Sequence, residues 1–254
     1  MKYIIGSLLL FVLLAVSYSG AWFYAASEIN KAIDQFYHQD APAIDIEFLG
    51  KKPILTGFPG PPVINYSGGF KTPEITVTFD RLKITGYPLP QLPLSLQIDD
   101  TLIIENNNTK RGLYLDHLFL TMIVPNELPN SSKKNDIAKW QKNVGEVDIK
   151  NFVTARKAIS LNSNGKIGLD EELQPAFRMN SNIAGHEELI EFFVTSGNLK
   201  PLPASIAISA LNAMALENPE TGEKEVSLLA RLQNKTLYLG PVRITELLPV
   251  EWPE

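Results

Sequence analysis

The segment Glu74-Ile75-Thr76-Val77-Thr78-Phe79-Asp80 alternates apolar and polar residues at every step. A period of two is that of a β-strand, whose successive side chains point to opposite faces. Ile75, Val77 and Phe79 therefore share one face, and Thr76, Thr78 and Asp80 share the other. One apolar face and one polar face is the pattern of an antiparallel sheet covered on one side only.

Working outward, the same period recurs. Leu94, Leu96 and Ile98 alternate with Ser95, Gln97 and Asp99. Leu118, Leu120 and Met122 oppose Phe119, Thr121 and Ile123, which predicts a strand covered on both faces. Between these runs lie Gly57-Phe58-Pro59-Gly60, Ser67-Gly68-Gly69, Gly86-Tyr87-Pro88 and Glu105-Asn106-Asn107-Asn108, which read as turns, as does Asp99-Asp100. Pro125 to Asn143 is polar and reads as a surface loop with a short helix around Ile137–Trp140. Strands are expected again at 144–149, 157–162 and 177–183, with Asn162-Ser163-Asn164-Gly165 as a hairpin turn.

Helical signals follow Gly185. Glu187, Glu188 and Glu191 suit the positive end of a helix dipole, and Gly197 suits a C-terminal cap. Pro203 opens a second helix over 204–216, apolar on most sides and so expected to be buried. A last pair of strands, 225–232 and 236–239, closes the pattern. The fold class is α+β: a sheet-rich, mostly antiparallel domain over residues 28–254, with C-terminal helices packed on it.

Before this domain, Tyr3 to Ala26 runs without a charge. As a helix it would span about 36 Å, enough to cross a hydrocarbon core of about 30 Å. Residues 1–27 are therefore expected to be a transmembrane signal-anchor helix. The free amino terminus and Lys2 precede the run and Glu28, Lys31 and Asp34 follow it, so the positive-inside rule leaves the N-terminus cytoplasmic and exports the domain. Trp22, Phe23 and Tyr24 fall where an aromatic belt meets the outer interface. The alternative is a cleaved signal peptide and a secreted domain, with Ser19-Gly20-Ala21 as a passable site. The length of the run favours the anchor. Beyond it, Ile29, Ile33, Phe36 and Tyr37 form a stripe that should pack on the domain.

Composition narrows the chemistry. A net charge of −5 and a pI near 5.4 argue against nucleic-acid binding. The chain has no cysteine, which excludes disulfides, thiol nucleophiles and zinc-thiolate sites. His38, His117 and His186 lack the spacing of a metal set, and no nucleophile elbow or phosphate-binding glycine loop occurs. These readings lead to the expectation of no enzyme activity, no metal and no cofactor.

The C-terminal stretch carries a resemblance. Leu189-Ile190 through Ser196-Gly197-Asn198-Leu199, Asn218-Pro219-Glu220-Thr221-Gly222, the run from Ala230 to Val242 and Leu248-Pro249 resemble the bacterial envelope family labelled domain of unknown function 2125. The family's usual glycine in the last hairpin is Lys235 here. The resemblance implies an N-terminal anchor, an early Gly-aromatic-Pro turn, here Gly57-Phe58-Pro59, and an envelope location with no known enzyme activity. In layout the chain is also similar to anchored, sheet-rich periplasmic proteins of the AsmA-like type, some of which move lipid.

The expected role is a membrane-bound periplasmic protein that binds a lipid-like ligand or another envelope component. Phe58, Ile75, Val77, Phe79, Tyr87, Leu94, Leu96 and Ile98 would line the ligand groove, with the Gly-aromatic-Pro turns at its mouth. If the helices at 189–194 and 204–216 seal that face, the groove has no basis. The alternative is a structural or assembly partner working through the polar insertion at 125–143.

Overall fold

The computed structural model describes residues 19, 22–24, 26–31, 33, 47–72, 75–87, 91–106, 112–127, 129, 133–197, 199–219 and 221–253. The expected anchor lies almost wholly outside them, as does Lys2. Among the described residues no helix is long and apolar enough to cross a membrane. Residues 19, 22–24, 26–31 and 33 are helical.

Thirteen strands among the described residues form one antiparallel sheet. They are β1 (Glu47–Gly50), β2 (Ile54–Thr56), β3 (Val63–Lys71), β4 (Ile75–Gly86), β5 (Pro93–Glu105), β6 (Gly112–Ile123), β7 (Glu146–Arg156), β8 (Ile159–Leu169), β9 (Pro175–Ala184), β10 (Leu216–Glu217), β11 (Lys224–Gln233), β12 (Thr236–Leu239) and β13 (Val242–Glu246). The order is β1-β3-β4-β5-β6-β7-β8-β9-β11-β12-β13, with β2 beside β3 and β10 beside β11. Three helices join it: α1 (Lys134–Asn143) between β6 and β7, then α2 (His186–Thr195) and α3 (Pro201–Met214) between β9 and β11.

Cross-strand partners share a face, so the register shows how far the apolar side extends. Gly86 stands opposite Leu94, Leu94 opposite Met122, and Met122 opposite Ile149. The row continues through Gly165, Met179, Ala230 and Leu239. It crosses eight strands without a polar side chain. At the C-terminal end α2 and α3 cover this face: Ile190, Ala207 and Leu211 pack with Ile183 and Val226, all at or near zero exposure. Burying a side chain of this kind stabilises by about 1.5–3 kcal/mol. At the N-terminal end a second, smaller cluster forms around Tyr66, Val77 and Phe79.

Several expected turns prove to be strand. Ser67-Gly68-Gly69 lies within β3, where the glycines serve close approach: a Cβ on Gly68 would sit 1.8 Å from the Leu49 carbonyl oxygen of β1. Asn162 to Gly165 lies within β8, and the hairpin turns at Lys157-Ala158 instead, with Lys157 at φ 54°. Asn162 and Asn164 stand on the polar face opposite Asn182 and Asn180, so their polarity marks solvent and not a turn. Asp99-Asp100 also lies within β5, with Asp100 at φ 51°.

Helix boundaries shift as well. The insertion over 134–143 is a regular helix, α1, whose Ile137 is buried. The last helix starts at Pro201 and stops at Met214, after which Leu216-Glu217 joins the sheet. Beyond β12 the chain makes one more strand, β13, where the sequence suggested only a tail. The β11–β12 hairpin places Asn234 and Lys235 at φ 50° and 62°, left-handed backbone that favours glycine.

Candidate functional site

The helices do not seal the N-terminal end of the apolar face. A cavity of about 500 Å³ remains there, walled by Phe48, Ile64, Tyr66, Phe79, Leu82, Ile84 and Leu94 from the sheet and by Ile29 and Ile33 from the N-terminal helical residues. Ile29 and Ile33 are one helical turn apart, so the described half of the expected stripe meets the domain at this cavity; Phe36 and Tyr37 lie outside the described residues.

Local strand geometry decides which side chains reach it. Tyr66 pairs with Leu82 but Gly68 with Phe79, so Asp80 and Arg81 together stand opposite Ser67. This bulge reverses the alternation of β4. Val77 and Phe79 point inward before it, and Leu82 and Ile84 point inward after it. Without the bulge, Leu82 and Ile84 would face solvent with Thr78. The Tyr66 hydroxyl lies 2.8 and 2.9 Å from the Leu49 and Gly69 carbonyl oxygens and shares its one proton between them. It is thereby fixed and removed from the groove's chemistry.

Of the residues expected from sequence, Phe79 and Leu94 line the cavity. Val77 is buried beside Phe79, and Ile98 packs against them. Leu96 is half-buried opposite Ile84, one position along from Leu94. Tyr87 is half-buried just beyond β4, and Ile75 is exposed at the far end of that strand. Phe58 sits apart from the wall, at one end of the N-terminal helical residues. Trp22 is 7% exposed; its indole Nε1 donates to the Gly60 carbonyl at 2.8 Å, and its ring meets Phe58 edge-on at 5.4 Å. Phe23 stacks on Phe58 at 5.4 Å while staying mostly exposed, and Tyr24 is exposed. The Gly57-Phe58-Pro59-Gly60 turn thus holds the helix over the groove. Gly57 (φ 119°) is required there, since a Cβ would lie 2.2 Å from the Pro61 carbonyl oxygen. Gly86, the first residue of the second Gly-aromatic-Pro motif, ends β4 and its amide donates to the Pro62 carbonyl, while Pro88 lies outside the described residues.

Sequence reasoning missed Phe48, Ile64, Tyr66, Leu82 and Ile84. The alternation Leu82-Lys83-Ile84-Thr85 was visible, but the bulge that aligns it with Phe79 was not.

The polar face carries charge instead. Arg81, Asp99 and His117 stand opposite one another across β4, β5 and β6. Arg81 donates to Asp99 at 2.6 Å and His117 Nδ1 lies 2.8 Å from it. Burial pushes the Asp99 carboxyl up, but hydrogen bonds from Arg81, His117 and Gln97 outweigh it and hold the group at about 2. The Tyr114 hydroxyl, bound to Asp100 at 2.6 Å, is pushed up to about 12. Among the described residues no three His, Asp or Glu side chains converge as a metal set. His186 is buried at the start of α2, where its Nε2 bonds Asn212 Oδ1 at 2.6 Å and so ties α2 to α3.

The insertion over 125–143 makes hydrogen bonds to its own chain while Lys133, Lys134, Asn135, Lys139, Lys142 and Asn143 stay exposed. Trp140 Nε1 donates to the Glu127 carbonyl, and the Lys134 amide donates to the Pro253 carbonyl.

No curated protein and no solved structure matches the chain. One family does match: that described as an uncharacterized protein conserved in bacteria, domain of unknown function 2125, over residues 95–247. The matched span takes in most of β5 through β13 with all three labelled helices, whereas every residue lining the cavity precedes it. Since the match covers more than half of the 254 residues, the chain belongs to this bacterial family of unknown function.

Proposed function

We propose that the chain is a non-enzymatic, membrane-anchored periplasmic protein whose groove holds the acyl chain of a lipid. The observation that carries this reading is the cavity of about 500 Å³ left between Ile29, Ile33 and the inner face of β3–β5. Its size lies within the range of small-molecule sites, and its named wall residues carry no charge. The apolar row continues the same face from Gly86 through Leu94 to Met122, beyond which Ile149, Met179, Ala230 and Leu239 are buried.

Apolar walls select by burial alone. Removing a methylene from water is worth about 0.8 kcal/mol, so about ten methylenes supply roughly 8 kcal/mol, a micromolar affinity before ordering costs. Catalysis would need an acid, base or nucleophile at the wall, and the one phenol there is spent on carbonyls. The charge-free run from Tyr3 to Ala26, whose last residues belong to the helical segment that roofs the cavity, supports placement at a membrane.

Native mass spectrometry of the full chain, extracted from membranes and released from detergent, tests this. The wild type should retain a lipid at one per chain, and Ile84→Asp, which puts a carboxylate on the wall, should lose it. Equal retention by both, or no retained lipid in the wild type, would overturn the reading.

A further inference from the structure

A second site lies on the other face of the sheet. Lys166 of β8 stands directly opposite Arg178 of β9, and Arg178 stands directly opposite Arg231 of β11. Three cations are thus aligned in one row across adjacent strands, in a chain whose net charge is −5. Like charges directly opposite one another in a sheet are destabilising. The two outer members are partly compensated: Lys166 bonds Glu146 at 2.8 Å, and the Arg231 guanidinium lies over the Tyr238 ring at 4.6 Å. Arg178, between them, has no hydrogen-bond or ion-pair partner among the described residues. All three side chains border one cavity of about 250 Å³, whose rim also holds Gln233 and Glu146.

The geometry points to a phosphomonoester-binding site formed by Lys166, Arg178 and Arg231. Asp148 stands opposite Lys166 at the end of the row, but it is paired with Lys150 at 3.0 Å. Three positive charges less that of Glu146 then leave two, and a phosphomonoester carries about −1.5 to −2 at neutral pH. Two guanidinium forks suit the three terminal oxygens of such a group better than they suit a phosphodiester or a carboxylate. The ligand's anion would sit against Arg178 and replace the repulsion on either side of it with charge-assisted hydrogen bonds. The same chemistry is presented by free phosphate esters and by a lipid such as phosphatidic acid. The site shares no residue with the apolar groove, so its failure would leave the groove untouched.

The test uses the full chain in vesicles of phosphatidylcholine, titrated with inorganic phosphate against sodium chloride at matched ionic strength, with thermal midpoint as readout. Phosphate should raise the midpoint of the wild type beyond the chloride control. Arg178→Gln should weaken the apparent phosphate affinity about ten- to a hundredfold, and in low salt without phosphate it should melt higher than the wild type. Arg178→Lys, which keeps the charge but not the fork, should fall between them. Adding phosphatidic acid to the vesicles separates the sources. A rise in midpoint that R178Q abolishes assigns a lipid headgroup, and a response to inorganic phosphate alone assigns a free ester. Equal responses to phosphate and chloride, or equal phosphate affinity in the wild type and R178Q, would overturn the proposal.

Discussion

Replacing Trp22 by alanine should release the N-terminal helix from the sheet while leaving the rest of the fold in place. The indole is 7% exposed, donates to the Gly60 carbonyl, and meets Phe23 and Phe58 edge-on at 5.3 and 5.4 Å. An aromatic side chain buries roughly 150–250 Å², worth about 4–6 kcal/mol at ~25 cal/mol/Å². That figure is an upper bound, because the unfolded reference already buries part of this surface. The usual cost of a buried Trp→Ala change, about 3–5 kcal/mol, is the better guide. Ile29 and Ile33 then remain as the helix's described contacts with the cavity wall. Amide hydrogen exchange of the full chain reads the result. Protection over residues 26–33 should fall on the order of a hundredfold or more, while β11 keeps its own, since Val226 and Leu228 belong to the core under α2 and α3. Trp22→Phe keeps the ring contacts and loses the hydrogen bond, so about 1 kcal/mol should be lost. Unchanged protection of the helix in W22A would refute the docking argument. Equal loss over β11 would refute the separation of the two cores.

Other outcomes follow from the same structure. Asp99 has a pKa depressed to about 2 from an unfolded value of about 3.9, so its contribution is present above roughly pH 4 and lost as pH falls toward 2. Asp99→Asn should flatten the acid limb of stability over that window and cost about 1 kcal/mol near neutrality, after allowance for the solvent-exposed Arg81; denaturant midpoints across pH measure both. Lys235→Gly should raise stability by about 0.5–1 kcal/mol, because φ 62° costs an L-residue roughly 1–2 kcal/mol and glycine returns part of that as unfolded-state entropy. Gly165→Ala should destabilise by several kcal/mol or abolish folding, since the added Cβ would lie 2.2 Å from the Arg178 carbonyl oxygen in a paired strand; expression and thermal midpoint decide it.

Much of the sheet could be read from the chain. Ile75-Thr76-Val77-Thr78-Phe79 and Leu94-Ser95-Leu96-Gln97-Ile98 alternate cleanly, and both form strands, with Val77 and Phe79 buried and Ile75 exposed at the strand end. The helix after Gly185 was equally legible, because its acidic first turn and apolar side agree with each other. Glycine- and asparagine-rich stretches misled. Ser67-Gly68-Gly69 and Asn162-Ser163-Asn164-Gly165 have turn composition, yet they stand in strands where a neighbouring carbonyl approaches too closely for a Cβ, or where asparagines face solvent. A local pattern cannot distinguish a glycine needed for φ from one needed for space.

The groove was only half legible for a related reason. Phe79 and Leu94 are legible from alternation, with Val77 and Ile98 packed beside Phe79, and Ile29 and Ile33 are legible from helical spacing. That Leu82 and Ile84 complete the same wall depends on the extra residue at Asp80-Arg81, which is defined only against β3. Likewise Trp22 reads as an interface aromatic by position. Its contact with Gly60 joins residues 38 apart and belongs to tertiary structure.

Photocrosslinking with a phospholipid carrying a diazirine on its acyl chain tests the groove most directly. With the full chain in vesicles, adducts mapped by mass spectrometry should fall on Leu82, Ile84, Phe79 or Ile33, and Ile84→Asp should remove them. Labelling confined to the segment before residue 27, with none on β3 to β5, would contradict the account.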